Sequence, residues 1–441
     1  MASDLKLPKS HRSVLSCGLR LQVTRRQPLP LVAIRLLIPA GSALDPKGRE
    51  GLADLTARML KKGTDHLSAE QISEEVEFVG GSLGANASED FTVISLSAPS
   101  EHIETMLRIL GQLVRDPAFP KAELEKMKRR TLAQFANDRD DPSVLADRAI
   151  LAGLWGSHPY GHDSGGTEVS ISDIQRRDVV SFHRNHLGPQ TAFLLVVGAA
   201  DPRKVHQLAE KSFQGWVGGK ENPLPLPDPP GPSREGSIRL IDKSEQTQSQ
   251  VRIAGVGFEK GNPDYFAALV ANAVLGGGFT SRLVEEIRVN RGLSYSVGSH
   301  FDSLKAGGGF FLSTFTKNET TGEIIEVALA EAAKMREANI SKSELTKTLN
   351  YIYGHYPARL ETNEYVASVL ADISLFELGD DWVECYHQRL FSVSVAAVRS
   401  AAEEYFFSTP PAIVVVGNAS KVAPQLKSFG RLEVLTVADV P

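Results

Sequence analysis

Hydrophobic and polar positions along this chain run through the same order of patterns twice. Residues Leu31 to Pro39 and Gln250 to Phe258 alternate as half-buried strands do. Helical stretches follow, Leu52 to Lys62 and Tyr265 to Leu275, and then glycine-interrupted strand pairs, Gly80 to Ser97 and Ser294 to Phe315. Long helical runs come next, Lys121 to Asp138 and Thr320 to Ala338, before a final apolar strand and helix. The clearest helical stripe lies between His102 and Val114, where Ile103, Met106, Leu107, Leu110 and Leu113 share one face and predict core packing.

The repetition has a measurable offset. The run Phe193 to Gly198 recurs as Ala412 to Gly417, 219 residues later, and the same offset pairs Val32 with Val251, Ile34 with Ile253 and Val179 with Val398. Several coincidences at one offset predict a duplicated unit. Between the copies, Gly218 to Ser233 is dense in proline and glycine, which removes backbone donors and reads as a linker. The expected organisation is an N-terminal domain over 1–216, a linker over 217–236 and a C-terminal domain over 237–441. Meandering strands with helices gathered beside them predict an α+β class, two tandem homologous α/β sandwich domains built on mixed, mostly antiparallel sheets.

Composition narrows the possible functions. Apolar content of 42% and charged content of 23% fit a globular protein, and a net charge of −5 without a basic stripe argues against nucleic acid. Cys17 and Cys385 are too few for a disulfide framework, and no apolar run is long enough to span a membrane. The opening Met1-Ala2-Ser3-Asp4 has neither the basic nor the apolar region of a signal peptide. The expected compartment stays open: a soluble protein, cytoplasmic, or periplasmic if a signal has been removed.

The candidate chemistry is a motif with its reactive groups replaced. Gly51 to Thr64 resembles the active-site helix of inverted zinc peptidases, whose H-x-x-E-H places two imidazoles and a general base on one helical face. Here those positions hold Asp54, Ala57 and Arg58. A guanidinium does not ligate zinc and puts a fixed positive charge where the cation would sit. Arg58 is expected to pair with Asp54 one turn away.

Further stretches extend the likeness: Ala40-Gly41-Ser42, Gly80-Gly81, Asp140-Asp141-Pro142, His158-Pro159-Tyr160-Gly161, and Gly276-Gly277-Gly278-Phe279-Thr280-Ser281-Arg282-Leu283 with Arg291-Gly292-Leu293-Ser294-Tyr295. Together they resemble the pitrilysin, insulinase and mitochondrial processing peptidase family of zinc metallopeptidases, in its short two-domain form, from about Val14 to Gln425. That resemblance implies a clam-shell arrangement of the two domains. It also implies a third ligand, a glutamate, at the position that here is Gln134.

What the resemblance retains lies in the second half. It implies that Arg288 and Tyr295, seven residues apart, bind and polarise a substrate peptide at a zinc site, and that in two-subunit members one chain supplies this pair and the other the metal. A guanidinium is a permanent multi-donor cation and a phenol can donate to a developing oxyanion. The expectation is a non-catalytic subunit with no cofactor of its own, a zinc-bearing homologous partner (or a homodimer when isolated), and a peptide bound as an added strand. The alternative is a structural scaffold or non-hydrolytic peptide-binding protein, like the core proteins of the respiratory cytochrome bc complex. Gly276, Gly277 and Gly278 read as a substrate or hinge loop, and Gly307-Gly308-Gly309 as a turn or bulge. The pairs His183/His186 and His158/His162 lack a third ligand at recognisable spacing and read as structural.

Overall fold

A computed structural model describes residues 6–26, 29–219, 226–227 and 237–440; most of the expected linker, 220–225 and 228–236, lies outside the described residues. Two six-stranded mixed sheets carry the fold. The first contains β1 (Ser10–Val14), β2 (Arg20–Arg25), β3 (Leu31–Ile38), β4 (Ser82–Ala87), β5 (Thr92–Pro99) and β6 (Phe193–Gly198), ordered β1-β2-β6-β3-β5-β4. The second contains β7 (Ser237–Asp242), β8 (Gln248–Val256), β9 (Val297–Leu304), β10 (Gly307–Lys317), β11 (Ala412–Gly417) and β12 (Arg431–Thr436), ordered β12-β7-β11-β8-β10-β9. Both are flanked by helices, as the α+β expectation required.

Five strands of each sheet share one topology. The pair β2–β6 is parallel and β6–β3–β5–β4 antiparallel; β7–β11 is parallel and β11–β8–β10–β9 antiparallel. The sixth strands differ, since β1 joins antiparallel and β12 parallel. Register differs as well. Ile34 faces Val196 in the first sheet, whereas the offset-matched Ile253 faces Ile413 rather than Val415. A slip of two residues keeps every side chain on its own face, so the apolar pattern tolerates it.

The described residues form two compact units that cut across chain order. One gathers those of Met1–Gln134, Asp163–Leu226 and Pro357–Glu384; the other those of Phe135–His162, Pro227–Tyr356 and Cys385–Pro441. A division at 217–236 separates the two sheets but leaves out a reciprocal exchange of helices. The helix Pro142–Trp155, from the first half of the chain, packs on the second sheet, where Leu145, Ala146, Ala149 and Ile150 form a cluster with Ile241, Ala254, Phe311, Val414 and Val416. The helix Asn363–Leu375, from the second half, packs on β3 and β6.

Sheet faces explain the exchange. In β3 seven positions from Val32 to Ile38 are buried apart from the half-buried Arg35, so both faces need cover. Ile34 and Leu36 share a face with Leu96 and Ile94 of β5. Arg35 lies on the opposite face and donates to the Glu364 carbonyl at 3.3 Å. Arg252 of β8 does the same for the second sheet, reaching Asp147 at 2.5 Å and Ser143 at 2.6 Å on the exchanged helix.

The three glycines Gly307 to Gly309 are strand, not turn. They pair in unbroken register with Leu304, Ser303 and Asp302, and the hairpin turns instead at Lys305 and Ala306. A Cβ at Gly308 would lie 2.2 Å from the Phe258 carbonyl oxygen, so the glycine serves a close backbone approach.

Candidate functional site

Two regions carry the sequence candidates, one in each unit. In the first unit, the helix Leu52–Leu60 buries Leu52, Ala53, Leu55, Thr56, Ala57, Met59 and Leu60, and packs on β4, β5 and the helix Arg176–His186. Its N-terminus is held by Asp45, whose carboxylate accepts the amide N–H groups of Gly51 at 2.7 Å and Ala53 at 2.8 Å. Burial pushes the Asp45 carboxyl up to about 8, against the pull of those two amides.

On the remaining face Asp54 and Arg58 meet, as expected, at 3.4 Å. Asp54 also accepts the Ala87 amide of β4 at 3.2 Å. Burial raises its carboxyl above the ordinary value, with the Ala87 amide and Arg58 opposing. Ala57 is fully buried between them. One carboxylate already engaged, a methyl group and a guanidinium do not make a donor set for zinc. Gln134 is exposed on the helix Lys121–Asp138, and a neutral amide there is a poor substitute for a carboxylate.

The bond from Ala87 also identifies a free sheet edge. β4 is the last strand of its sheet, and Ser88 donates to the Phe91 carbonyl across the hairpin. Alternation in an antiparallel pair then aims the N–H and C=O groups of Leu83 and Ala85 away from β5, toward the side where Asp54 takes the Ala87 amide.

Arg288 and Tyr295 come together in the second unit. Arg288 lies in a π-helix, Val284–Asn290, closed by a bond from the Arg291 amide to the Glu286 carbonyl at 3.1 Å. Such wide turns are rare and recur at functional positions. The Arg288 guanidinium carbon stands 4.2 Å from the centroid of the Tyr295 ring and 5.2 Å from that of Phe279. Both rings are largely exposed, Phe279 at 72% and Tyr295 at 75%.

The neighbouring arginines are neutralised. Arg282 makes two bonds of 2.9 Å to Glu344, and Arg291 reaches Glu286 at 2.8 Å and Glu323 at 3.3 Å. Arg288 has no carboxylate partner among the described residues, so its charge is balanced only by ring faces and solvent.

The glycines beside this stack end the helix Tyr265–Leu275. A Cβ on Gly276 would sit 2.4 Å from the Ser299 hydroxyl, so a side chain there would push β9 away. Gly277 is exposed, and a Cβ on Gly278 would come within 3.6 Å of the Tyr351 ring, itself 47% exposed. Phe279 carries no recognisable chemistry in the sequence. Its signal was position alone, directly after the three glycines.

The histidine pairs have structural partners. His183 donates from Nε2 to the Val114 carbonyl at 2.8 Å, and burial lowers its pKa. His158 accepts the Tyr160 amide at Nδ1 (3.1 Å), with Nε2 3.0 Å from the Pro227 carbonyl. Among the described residues no group of three His, Cys, Asp or Glu side chains is placed to hold a metal, and no helix is long and apolar enough to cross a membrane.

These features define an M16-type peptidase fold with an altered metal helix. The family description "Insulinase (Peptidase family M16)" matches residues 22–168, and "Peptidase M16 inactive domain" matches 173–352. The chain belongs to the M16 peptidase family and is an inactive, peptidase-like member of it. It is 27% identical to an uncharacterized zinc protease of Rickettsia bellii, over 73% of this chain and 76% of that one. It is 28% identical to the non-peptidase homolog YmxG of Helicobacter pylori, over 76% and 77% of the two chains. The crystal structure of a peptidase M16 inactive domain from Pseudomonas fluorescens superposes with a TM-score of 0.87 at 25% identity, covering 93% of this chain and 98% of that one.

Proposed function

We propose that this chain is the non-catalytic subunit of a heterodimeric zinc endopeptidase. A homologous partner supplies the zinc, and this chain, holding none, contributes Arg288 and Tyr295 to the partner's site. The observation that carries the reading is the state of Arg288: a guanidinium kept free of carboxylates and flanked by two exposed rings. Exposing two aromatic rings costs apolar hydration, and leaving an arginine unpaired among paired neighbours gives no structural return. A pure scaffold has no use for that arrangement.

The chemistry suits peptide hydrolysis in a shared site. The two rings beside it restrain the guanidinium, and its N–H groups, bonded to no carboxylate among the described residues, are donors for a peptide carbonyl. The Tyr295 hydroxyl donates to an oxyanion as the scissile carbonyl becomes tetrahedral. Separately, in the first unit, the edge presented by Leu83 and Ala85 takes an extended peptide as an added strand. The Helicobacter pylori relative is named a non-peptidase homolog, which favours a second reading, a role without hydrolysis.

The test is co-purification and activity. The chain is expressed with the M16 homologue of its own organism that carries H-x-x-E-H, and cleavage of a quenched fluorescent peptide is followed for each chain alone and for the pair. Cleavage that requires both chains in a one-to-one complex is the expected result. Activity of the homologue that is indifferent to this chain, or self-association only, would overturn the proposal in favour of the binding or scaffold reading.

A further inference from the structure

The first unit contains a basic pocket that the peptidase reading does not use. It is a cavity of about 350 Å³ between the end of the Leu52–Leu60 helix, the helix Ala69–Phe78 and the start of β4; Lys61, Lys62, Ser73, Glu77, Ser82 and Leu83 line it. Lys61 and Lys62 lie three and four residues after Arg58, just past the last helical residue Leu60, so three cations gather at the helix end.

Their partners are unequal. Asp54 takes up Arg58, and Glu77 accepts the Ser73 hydroxyl at 3.0 Å. Neither Lys61 nor Lys62 has a side-chain hydrogen bond or ion pair among the described residues. The helix C-terminus favours positive charge in general, and that alone explains an exposed lysine. It does not explain Lys61, which is half-buried beside two other cations; burial first, then Lys62 and Arg58, lower its pKa, with Asp54 opposing. An ammonium held in such a place with no carboxylate in hydrogen-bond or ion-pair contact is stabilised by an anion that arrives from outside.

What arrives is set by the strand next to it. Leu83 belongs both to the pocket wall and to the free edge of β4. A chain segment paired to that edge directs every second side chain to one face, and a side chain of that segment at Leu83 lies at the pocket mouth. We propose that Lys61 and Lys62 form a specificity pocket for a carboxylate side chain of a peptide bound along β4, making acidic extended peptides the preferred ligands of this chain. The inference rests on the strand-addition reading given above.

The experiment uses the intact chain and two labelled peptides of alternating apolar and polar residues, one with glutamate at the polar positions and one with glutamine, with binding read by fluorescence anisotropy. The glutamate peptide is expected to bind about tenfold more tightly at low salt, with the advantage shrinking as salt rises. In Lys61→Gln/Lys62→Gln the advantage disappears, while Lys61→Arg keeps it and controls for folding. Equal binding of both peptides by the native chain would overturn the charge preference and leave strand addition standing. If neither peptide binds, both the pocket and the strand-addition reading fall. If the advantage persists in the double variant, acid preference exists but the assignment to this pocket is wrong.

Discussion

The two duplicated units handle their arginines in opposite ways. In the first, Arg58 occupies a former ligand position and is tied to Asp54 at 3.4 Å beside the buried Ala57. In the second, Arg288 is given no carboxylate and is held by Phe279 and Tyr295 at the surface. One guanidinium is consumed by its own chain; the other is kept available. The contrast teaches that one fold can neutralise an arginine inside one unit and leave another without a carboxylate at the surface of the other, because tertiary packing and not residue type sets the partner.

The largest expected effect falls on the available arginine. In the reconstituted pair, Arg288→Ala should lower kcat by about 10²–10³-fold while complex formation persists, the range typical for removing a donor to a developing oxyanion. Unchanged kcat would erase the contrast between the units. The consumed arginine should behave in the reverse manner. Arg58→Ala leaves a half-buried carboxylate short of its cation and should cost about 1–2 kcal/mol of stability by urea unfolding, without altering activity per complex. A loss of activity at full stability would show that Arg58 is not merely structural.

Phe279→Ala sharpens the comparison at smaller scale. Removing one ring from beside an exposed guanidinium is worth about 0.5–1 kcal/mol, a two- to fivefold fall in kcat/KM with stability unchanged. Phe279→Leu, which restores bulk without a ring face, should not rescue it.

The smallest effect concerns His183, whose burial as a neutral ring favours the folded state only while the ring is uncharged. Its folded pKa lies below the unfolded value near 6.5, so its contribution is complete above that pH and declines as pH falls through the folded pKa. The slope from this residue should stay under about 1.4 kcal/mol per pH unit, visible as the difference between native and His183→Gln in denaturation series from pH 7 to pH 5. An identical pH profile for the two proteins would show that His183 does not carry that dependence.

Much of this protein is legible from its residues. Alternation and helical stripes predict the sheets and the Ile103–Arg115 helix, because burial on one face imposes periods of two and 3.6 whatever the partner. The exchange of Asp54, Ala57 and Arg58 for the metal-binding motif is visible directly, and so is their ion pair, since residues four apart on a helix are neighbours. The offset between the repeats is equally plain. Its two-residue slip in register is not, because a strand pattern of period two reads the same after such a shift.

Three things were decided only in three dimensions. The helices Pro142–Trp155 and Asn363–Leu375 change sheets, because each sheet needs cover on its second face and apolar stripes do not say which sheet they will cover. Gly307 to Gly309 became strand rather than turn because they pair with Leu304 to Asp302 across a hairpin that turns at Lys305 and Ala306, and at Gly308 the Phe258 backbone comes too close for a side chain. The freedom of Arg288 and the lack of an ion-pair partner for Lys61 depend on which acids are near in space. Local sequence sets a residue's charge and its helical neighbours; only tertiary packing decides whether a distant carboxylate comes into ion-pair contact, and in both places none among the described residues does.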